Sequence, residues 1–411
     1  MEVVHTNCCG LDIHKKLIVA CAIAPGADGQ PRKQVRSFGS MSDDLQKLSE
    51  WLAEQGVTHV AMESTASYWK PVYNVLEERF ELLLVNAQHL KAVPGRKTDV
   101  KDAEWIADLL RHGLVKPSFV PDREQRELRE LVRYRTSLIQ ERTSSANRLH
   151  KILEGANIKL ASVASDILGR SGREMLEALV AGDTDVTAMA ELARGKMRDK
   201  RAALERALAG RFGPHQRFLV AEVLAHIDFL DETIQRVSGE IGERERPFEE
   251  VLERLDTIPG VGRRTAEIVI AEVGPDIRRF PTAGHLASWA GLCPGQDESA
   301  GKRRSGKTRK GNRWLRGALV EAAHSSTRTK TYLAAQFRRL ASRHGPKKAM
   351  VAVAHSILRI IYHLLLDEHP FEDLGEAYFD QRQRQHVSRR LKQRLERLGY
   401  RVQLEPVAPA A

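Results

Sequence analysis

The chain has 411 residues, long enough for two to four domains with real cores, and 42% of them are hydrophobic, as in an ordinary soluble protein. No apolar run in the sequence approaches the roughly 20 residues of a membrane helix, and the opening MEVVHTNCCG lacks a basic-then-apolar secretory signal, so no membrane partner and a cytoplasmic location are expected. A net charge of +11 and a pI near 9.5 point to a polyanionic partner.

Residues 1–120 alternate strand and helix. Cys8–Ile13, Leu17–Ala24 and Lys33–Phe38 read as three strands separated by turn sequence. Ser42 is expected to cap a helix with Asp43 and Asp44 in its first turn and Leu45, Leu48 and Leu52 on one face, ended by Gly56. Val57–Met62 is a strand, Tyr68–Phe80 mostly helix, and Glu81–Asn86 a strand. A helix then runs from about Asp99 to Arg111, inside the stretch PGRKTDVKDAEWIADLLRHG. Cys8, Cys9, Cys21 and Cys293 lack zinc-ligand spacing and read as reduced residues of an intracellular core.

On a helical wheel Asp99 and Asp102 share a side with Ala103, Ile106, Ala107, Leu109 and Leu110, whereas Lys101, Glu104, Asp108 and Arg111 lie opposite. Two carboxylates on a face due for burial repel each other, and a cation between them removes the problem. The plainer alternative is that Asp99 caps the helix and Asp102 suits its dipole. Two more acids close strands: Asp12 in CCGLDIHKK and Glu63 in VTHVAMES. Ligand sites in α/β sheets gather at the carboxyl ends of strands, so all four acids are expected to converge at one sheet edge. Oxygen-only ligands suit Mg²⁺ or Mn²⁺.

The strand order and the pattern GLD…E…D-x-x-D resemble a RuvC-like, ribonuclease-H-type nuclease domain. The fuller pattern, GLDIHK, MESTASYW and KTDVKDAEWIADLLRHGLV, resembles the DEDD transposases of bacterial insertion sequences, a group that includes recombinases guided by a bridge RNA. The resemblance implies Asp12, Glu63, Asp99 and Asp102 as catalytic, metal-binding acids. It also implies DNA and a structured guide RNA as partners, dimers or tetramers on DNA, and a bacterial, nucleoid-associated setting.

From Asp122 to Glu154 there is neither Gly nor Pro, and Leu128, Leu131, Leu138, Leu149 and Ile152 form a seam interrupted by Arg135, Arg142 and Ser145. A cleaner seam runs Val220, Val223, Ile227, Leu230, Ile234, Val237, Ile241, in alternating steps of three and four. The two read either as a hairpin within the chain or as a dimerisation arm, and the resemblance favours the arm. LDTIPGVGRRTAEIVIAEVG has the pattern of a helix-hairpin-helix, whose Gly260 and Gly262 N–H groups would hold a DNA phosphate at a helix N-terminus.

Eight basic residues follow between positions 302 and 316: Lys302, Arg303, Arg304, Lys307, Arg309, Lys310, Arg313 and Arg316. Glycines and Ser305 among them suggest a flexible basic loop that runs into a helix and wraps a phosphate backbone. This block resembles the C-terminal transposase domain of the same family, which implies Ser299 in DESAGK as nucleophile. Many relatives have Asp-Ser-Gly there without the intervening alanine, and Ser305 is the alternative. Farther on, Ala349, Val353, Ile357 and Ile361 are expected to pack on this block. A basic amphipathic helix with Val387, Leu391, Leu395 and Leu398 on one side either touches nucleic acid or covers an apolar patch. The last residues, EPVAPAA, are expected to be disordered.

The expected fold is thus α/β plus all-α: a RuvC-like DEDD domain over 1–120, a helical coiled-coil region over 121–250, a transposase domain with helix-hairpin-helix and serine loop over 251–375, and a basic tail over 376–411. The expected function is a serine-dependent, Mg²⁺-assisted DNA transposase. The alternatives are a RuvC-like endonuclease or junction resolvase using water, and a non-catalytic nucleic-acid-binding protein.

Overall fold

The computed structural model describes residues 2–26, 29–64, 66–86, 99–295, 297–299, 301–382 and 384–403. The chain divides into two compact units, Met1–Pro121 and Asp122–Ala411.

The first unit is one five-stranded sheet with helices on both faces. Its elements are β1 (Cys8–Ile13), β2 (Leu17–Pro25), β3 (Pro31–Gly39), α1 (Ser42–Glu54), β4 (His59–Glu63), α2 (Trp69–Leu76), β5 (Glu81–Val85) and α3 (Asp99–Arg111), the order read from sequence. The strands lie β3-β2-β1-β4-β5; β1, β2 and β3 are antiparallel neighbours, and β4 runs parallel to both β1 and β5. Alternation along β1 separates two cores. Cys9, Leu11 and Ile13 face α1 and α2 with Leu45, Leu48, Leu52, Val72 and Leu76. Cys8 faces α3 with Ala103, Ile106, Ala107 and Leu110. Ser42 is not the cap of α1: Met41 holds that position and no side chain caps it, so Ser42 is simply the first helical residue. The cysteines are free, and burial pushes the Cys8 thiol up to about 11 and the Cys21 thiol up to about 12, which keeps both protonated and inert.

Among its described residues the second unit is helical apart from one small hairpin. α4 (Arg123–Gly155) is paired antiparallel with α9 (Pro214–Glu245). Leu138 packs on Leu230 and Ile234. Arg142 Nη2 donates to Asp231 Oδ2 (2.9 Å), and Arg244 Nη1 lies 3.1 Å from Glu127 Oε2. The two seams therefore meet each other within one chain, and the apolar face of α9 is occupied by its own α4. Arg135 and Ser145, which interrupt the α4 seam, are themselves buried in it. Between the long helices, α5 (Leu160–Val163), α6 (Arg170–Ala181), α7 (Val186–Glu191) and α8 (Arg201–Leu208) close a separate core around Leu149, Leu176 and Leu224.

The rest of this unit begins with α10 (Glu249–Asp256), α11 (Arg263–Val273) and α12 (Ala283–Trp289). Next come β6 (Asp297–Ser299), β7 (Lys302–Ser305), α13 (Arg313–Ser326), α14 (Tyr332–His344) and α15 (Pro346–Asp367), then α16 (Tyr378–Arg382) and α17 (Arg384–Arg397). α15 is the one helix among the described residues long and apolar enough to cross a membrane by composition, with a mean hydropathy of 1.7 over its most apolar window. It is built as a core helix: Ala349, Val353, Ile357 and Ile361 are buried, and Tyr362 donates to Phe280 O (3.0 Å). Leu391 and Leu395 on α17 and Leu398 just after it stay exposed, so among the described residues this stripe covers no apolar patch. The side chain of Val387 and residues 405–411, expected to be disordered, lie outside what is described.

Candidate active site

The acidic site is set by strand register. β1 and β4 pair Gly10 with Ala61 and Leu11 with Met62, so the next residues along, Asp12 and Glu63, stand side by side on one face at the carboxyl ends of both strands, roughly 4.8 Å apart across the sheet. This is the face that α3 covers. α3 runs antiparallel to β1 and lies directly on it: Cys8 Sγ approaches Ala107 O at 3.8 Å, and a Cβ on Gly10 would sit 2.3 Å from Ala103 O. Two residues along the strand thus match four along the helix, about 6–7 Å in each. The next such step leads from Gly10 and Ala103 to Asp12 and to Asp99, the first residue of α3. Gly10 carries this arrangement, because any side chain there would lift the helix off the sheet.

Asp12 is 8% exposed, and His14 Nε2 lies 3.1 Å from its Oδ2. Glu63 and Asp102 are half-buried rather than buried. On the opposite side of α3, Asp108 accepts from Lys33 Nζ (2.6 Å), as a solvent-side acid would. The side chain of Asp99 and the whole of residues 94–98 lie outside what is described. Among the described residues, no three His, Cys, Asp or Glu side chains form a group able to hold a metal ion. Asp12, Glu63 and Asp102 therefore make no closed cage on their own. His14 escaped the sequence reading, although its place two residues after Asp12 in GLDIHK was the available signal.

In the second unit, α10 and α11 are joined by a turn through Pro259, Gly260, Val261 and Gly262, as the sequence suggested. The two glycines differ. Gly260 has φ +89°, and a Cβ on it would lie 2.2 Å from Ala322 O of α13, so glycine there serves the packing of the turn on α13 rather than approach to a phosphate. Gly262 is the N-cap of α11, no side chain caps it, and a Cβ there would meet open space. The first N–H groups of α11 are thus at a glycine-flanked helix start, where anions are favoured.

The basic stretch is not wholly a loop. β6 and β7 pair antiparallel, with Ser299 opposite Lys302 and Asp297 opposite Ser305, and Gly301 takes φ +73° at the turn. The side chains of Ser299, Lys302, Arg303, Arg304 and Ser305 lie outside what is described. Beyond the hairpin, Lys307, Arg309, Lys310 and Arg313 are exposed, and Arg313 stacks on the Trp314 ring at 4.6 Å. Asn312 caps α13 through Oδ1, which accepts from Trp314 and Leu315 N–H. Its Nδ2 donates to Glu272 Oε2 (2.6 Å).

Glu272 belongs to a buried charge network with no periodic signature in the sequence. Arg133 grips it with Nε at 2.6 Å and Nη2 at 2.8 Å, and Arg129 Nη2 donates to its backbone carbonyl (2.6 Å). Burial pulls the Arg129 guanidinium down to about 10 while Glu272 pulls it up. Beside this, Arg135 bonds Glu267. Glu245 is fully buried, and both its carboxylate oxygens lack a partner among the described residues. Burial first, then the charge of Glu267, push Glu245 up to about 8 against the pull of Arg135 and Arg263.

Comparison with known proteins places both blocks. A family model described as "Transposase", of the DEDD IS110 type, matches residues 9–158. A second, described as "Transposase IS116/IS110/IS902 family", matches residues 252–338. The chain is 30% identical over 326 residues to the "Insertion element IS900 uncharacterized 42 kDa protein" of Mycobacterium paratuberculosis, covering 70% of this chain and 79% of that one. The chain belongs to the IS110 family of insertion-sequence transposases. Other relatives of this transposase are the "Probable family 20 transposase" of Pseudomonas aeruginosa, 28% identical over 75% of this chain and 84% of that one, and the "Transposase for insertion sequence element IS1111A" of Coxiella burnetii, 27% identical over 69% and 70%. The first family match spans the acids Asp12, Glu63, Asp99 and Asp102 of the transposase, and the second spans its glycine turn and Ser299.

Proposed function

We propose that this transposase cuts and rejoins DNA with Ser299 as nucleophile, assisted by Mg²⁺ or Mn²⁺ on Asp12, Glu63, Asp99 and Asp102, and directed by a structured guide RNA. The observation that carries the reading is the convergence of three chain segments at one sheet end: the β1 and β4 carboxyl termini in register and the first turn of α3 above them. Asp12 is buried there, and carboxylate oxygens suit a hard divalent cation. When bound, such an ion would polarise a phosphate and neutralise developing charge.

The chain's own groups have the following tasks in this reading. The Ser299 hydroxyl loses its proton as Oγ attacks phosphorus; the bond from phosphorus to one DNA oxygen breaks, and that oxygen takes up a proton. The phosphoserine ester keeps the bond energy, and a hydroxyl of the incoming strand later attacks it and returns the serine. Lys302, Arg303, Arg304, Lys307, Arg309, Lys310 and Arg313 hold phosphates and spread charge in the transition state. Gly262, open to solvent at the start of α11, marks a further backbone contact to DNA. Assembly into dimers or tetramers would use surfaces other than the α9 seam, which α4 already fills.

The test uses labelled DNA carrying the element's junction, Mg²⁺, the protein, and the RNA transcribed beside its gene. After denaturation, wild type should show DNA covalently attached to protein and Ser299→Ala should show none. Cleaved DNA without an adduct in either protein would make water the nucleophile and the chain a metal-dependent nuclease.

A further inference from the structure

α15 breaks a local rule at its start. Helix N-termini carry partial positive charge and favour acids. Here Gly345 is the N-cap without a side-chain cap, Pro346 follows, and the first turn holds Lys347 and Lys348 and no acid. Both lysines are exposed. Two ammonium groups beside a helix's unpaired N–H groups repel that end unless an anion sits there.

A hollow of about 940 Å³ opens beside them, near the upper end of the roughly 300–1,000 Å³ of small-molecule pockets. One wall is a single face of α15, with Lys347, Val351 and His355 on successive turns. The other wall is the base of the serine hairpin, where Pro294 pairs with Thr308 and Gly295 N–H donates to Lys307 O (2.9 Å). Leu292, Pro294 and Val351 give the hollow an apolar part to its lining. Gly295 is four residues from Ser299, at most about 13 Å along a strand. Exposed cations, a helix N-terminus, a flat ring and apolar lining together match a phosphate joined to a base. A stacked duplex cannot offer such a pocket the face of a base, whereas an unpaired nucleotide can.

We propose that this hollow takes one unpaired nucleotide of the DNA strand brought to Ser299, with its phosphate on Lys347 and Lys348 and its base against His355. The assignment of the strand rests on the function proposed above. Burial lowers the His355 pKa, with Arg359 acting in the same sense, so the ring is neutral at pH 7 and presents an uncharged aromatic surface. Lys347 and Lys348 then act as phosphate contacts outside the basic run at 302–316.

The test titrates the full-length protein, without divalent metal, with a short oligothymidylate, an oligouridylate and a blunt DNA duplex. Lys347→Ala with Lys348→Ala should weaken oligothymidylate binding about tenfold and lower the slope of log affinity against log salt by about 1.4. His355→Ala should weaken oligothymidylate binding about tenfold and leave duplex binding within about twofold. The lysines are exposed, so their variant keeps the fold even if His355→Ala does not. The proposal is overturned by an unchanged oligothymidylate affinity in the lysine variant, by equal losses on duplex and single strand in a folded His355→Ala, or by lysine dependence seen with oligouridylate and not with oligothymidylate. The Ser299 adduct is scored separately, so losing the adduct overturns the serine reading alone, and losing the single-strand effects overturns the nucleotide site alone.

Discussion

The N-terminal unit holds its acids by backbone contact and apolar packing, whereas the C-terminal unit anchors its basic block through charges sealed in the core. In the first, Gly10 lets α3 lie on β1, and the residues around the contact, Cys8, Ala61, Ala103 and Ala107, are small and apolar. In the second, Glu272 ties α4 through Arg129 and Arg133, and ties the start of α13 through Asn312. Apolar contact has no partner to lose and tolerates small change, while a buried ion pair fails badly when one member goes. The two units should therefore break differently.

The largest effect is expected from Glu272→Ala. It leaves the buried Arg129 with backbone carbonyls but no carboxylate, takes both bonds from the part-exposed Arg133 and frees Asn312 Nδ2, at a cost of about 3–5 kcal/mol. Denaturant unfolding measures this; a loss below about 1 kcal/mol, the level of an exposed pair, would mean that the network is not structural. Next comes Gly10→Ala, where the new methyl meets the α3 backbone and overpacking costs about 1–3 kcal/mol. The displaced helix carries Asp99 and Asp102 with it, so DNA cleavage should fall while duplex binding persists. Unchanged cleavage would separate the α3 contact from the acidic site.

The third effect depends on pH, small at about pH 5 and growing as pH rises. Glu245 has a folded pKa raised from 4.5 to about 8, so the folded state binds the extra proton. Its contribution is full below pH 4.5 and is lost as pH rises towards 8, with a slope of at most about 1.4 kcal/mol per pH unit. Glu245→Gln should remove that decline from a plot of unfolding free energy against pH and make the variant the more stable form at pH 8. A wild-type plot that is flat over this window would contradict the burial of an unpartnered carboxyl.

The same contrast explains what was legible in the sequence. Period-two and period-3.6 patterns mark apolar faces, so β1 at Cys8–Ile13 and α3 at Asp99–Arg111 could be bounded to the residue. Strand-end acids and the D-x-x-D spacing brought Asp12, Glu63, Asp99 and Asp102 to one edge on paper, and the β1–β4 register brings the first two side by side. Charge has no such period. Arg135 reads as an interruption of a seam, yet it is buried against Glu267; Glu267 and Glu272 are core residues that no pattern in the sequence marks. Glycine is similarly ambiguous. Gly260 looked like a phosphate contact, and its necessity comes from α13 pressing on it. The seam of α9 is readable as apolar, but its spacing fits a hairpin within the chain as well as an arm, and the structure pairs it with α4, the alternative that the resemblance disfavours.

In the proposed reaction the acids and the serine act together. The direct measurement is the rate of covalent adduct formation at Ser299 with and without Mg²⁺, in wild type and in Asp12→Asn. Wild type should form a Mg²⁺-dependent adduct, and the variant should lose at least about a hundredfold in rate, the order expected when one electrostatic element of a transition state is removed. An adduct that forms at the same rate in Asp12→Asn, or without divalent metal, would contradict this joint action.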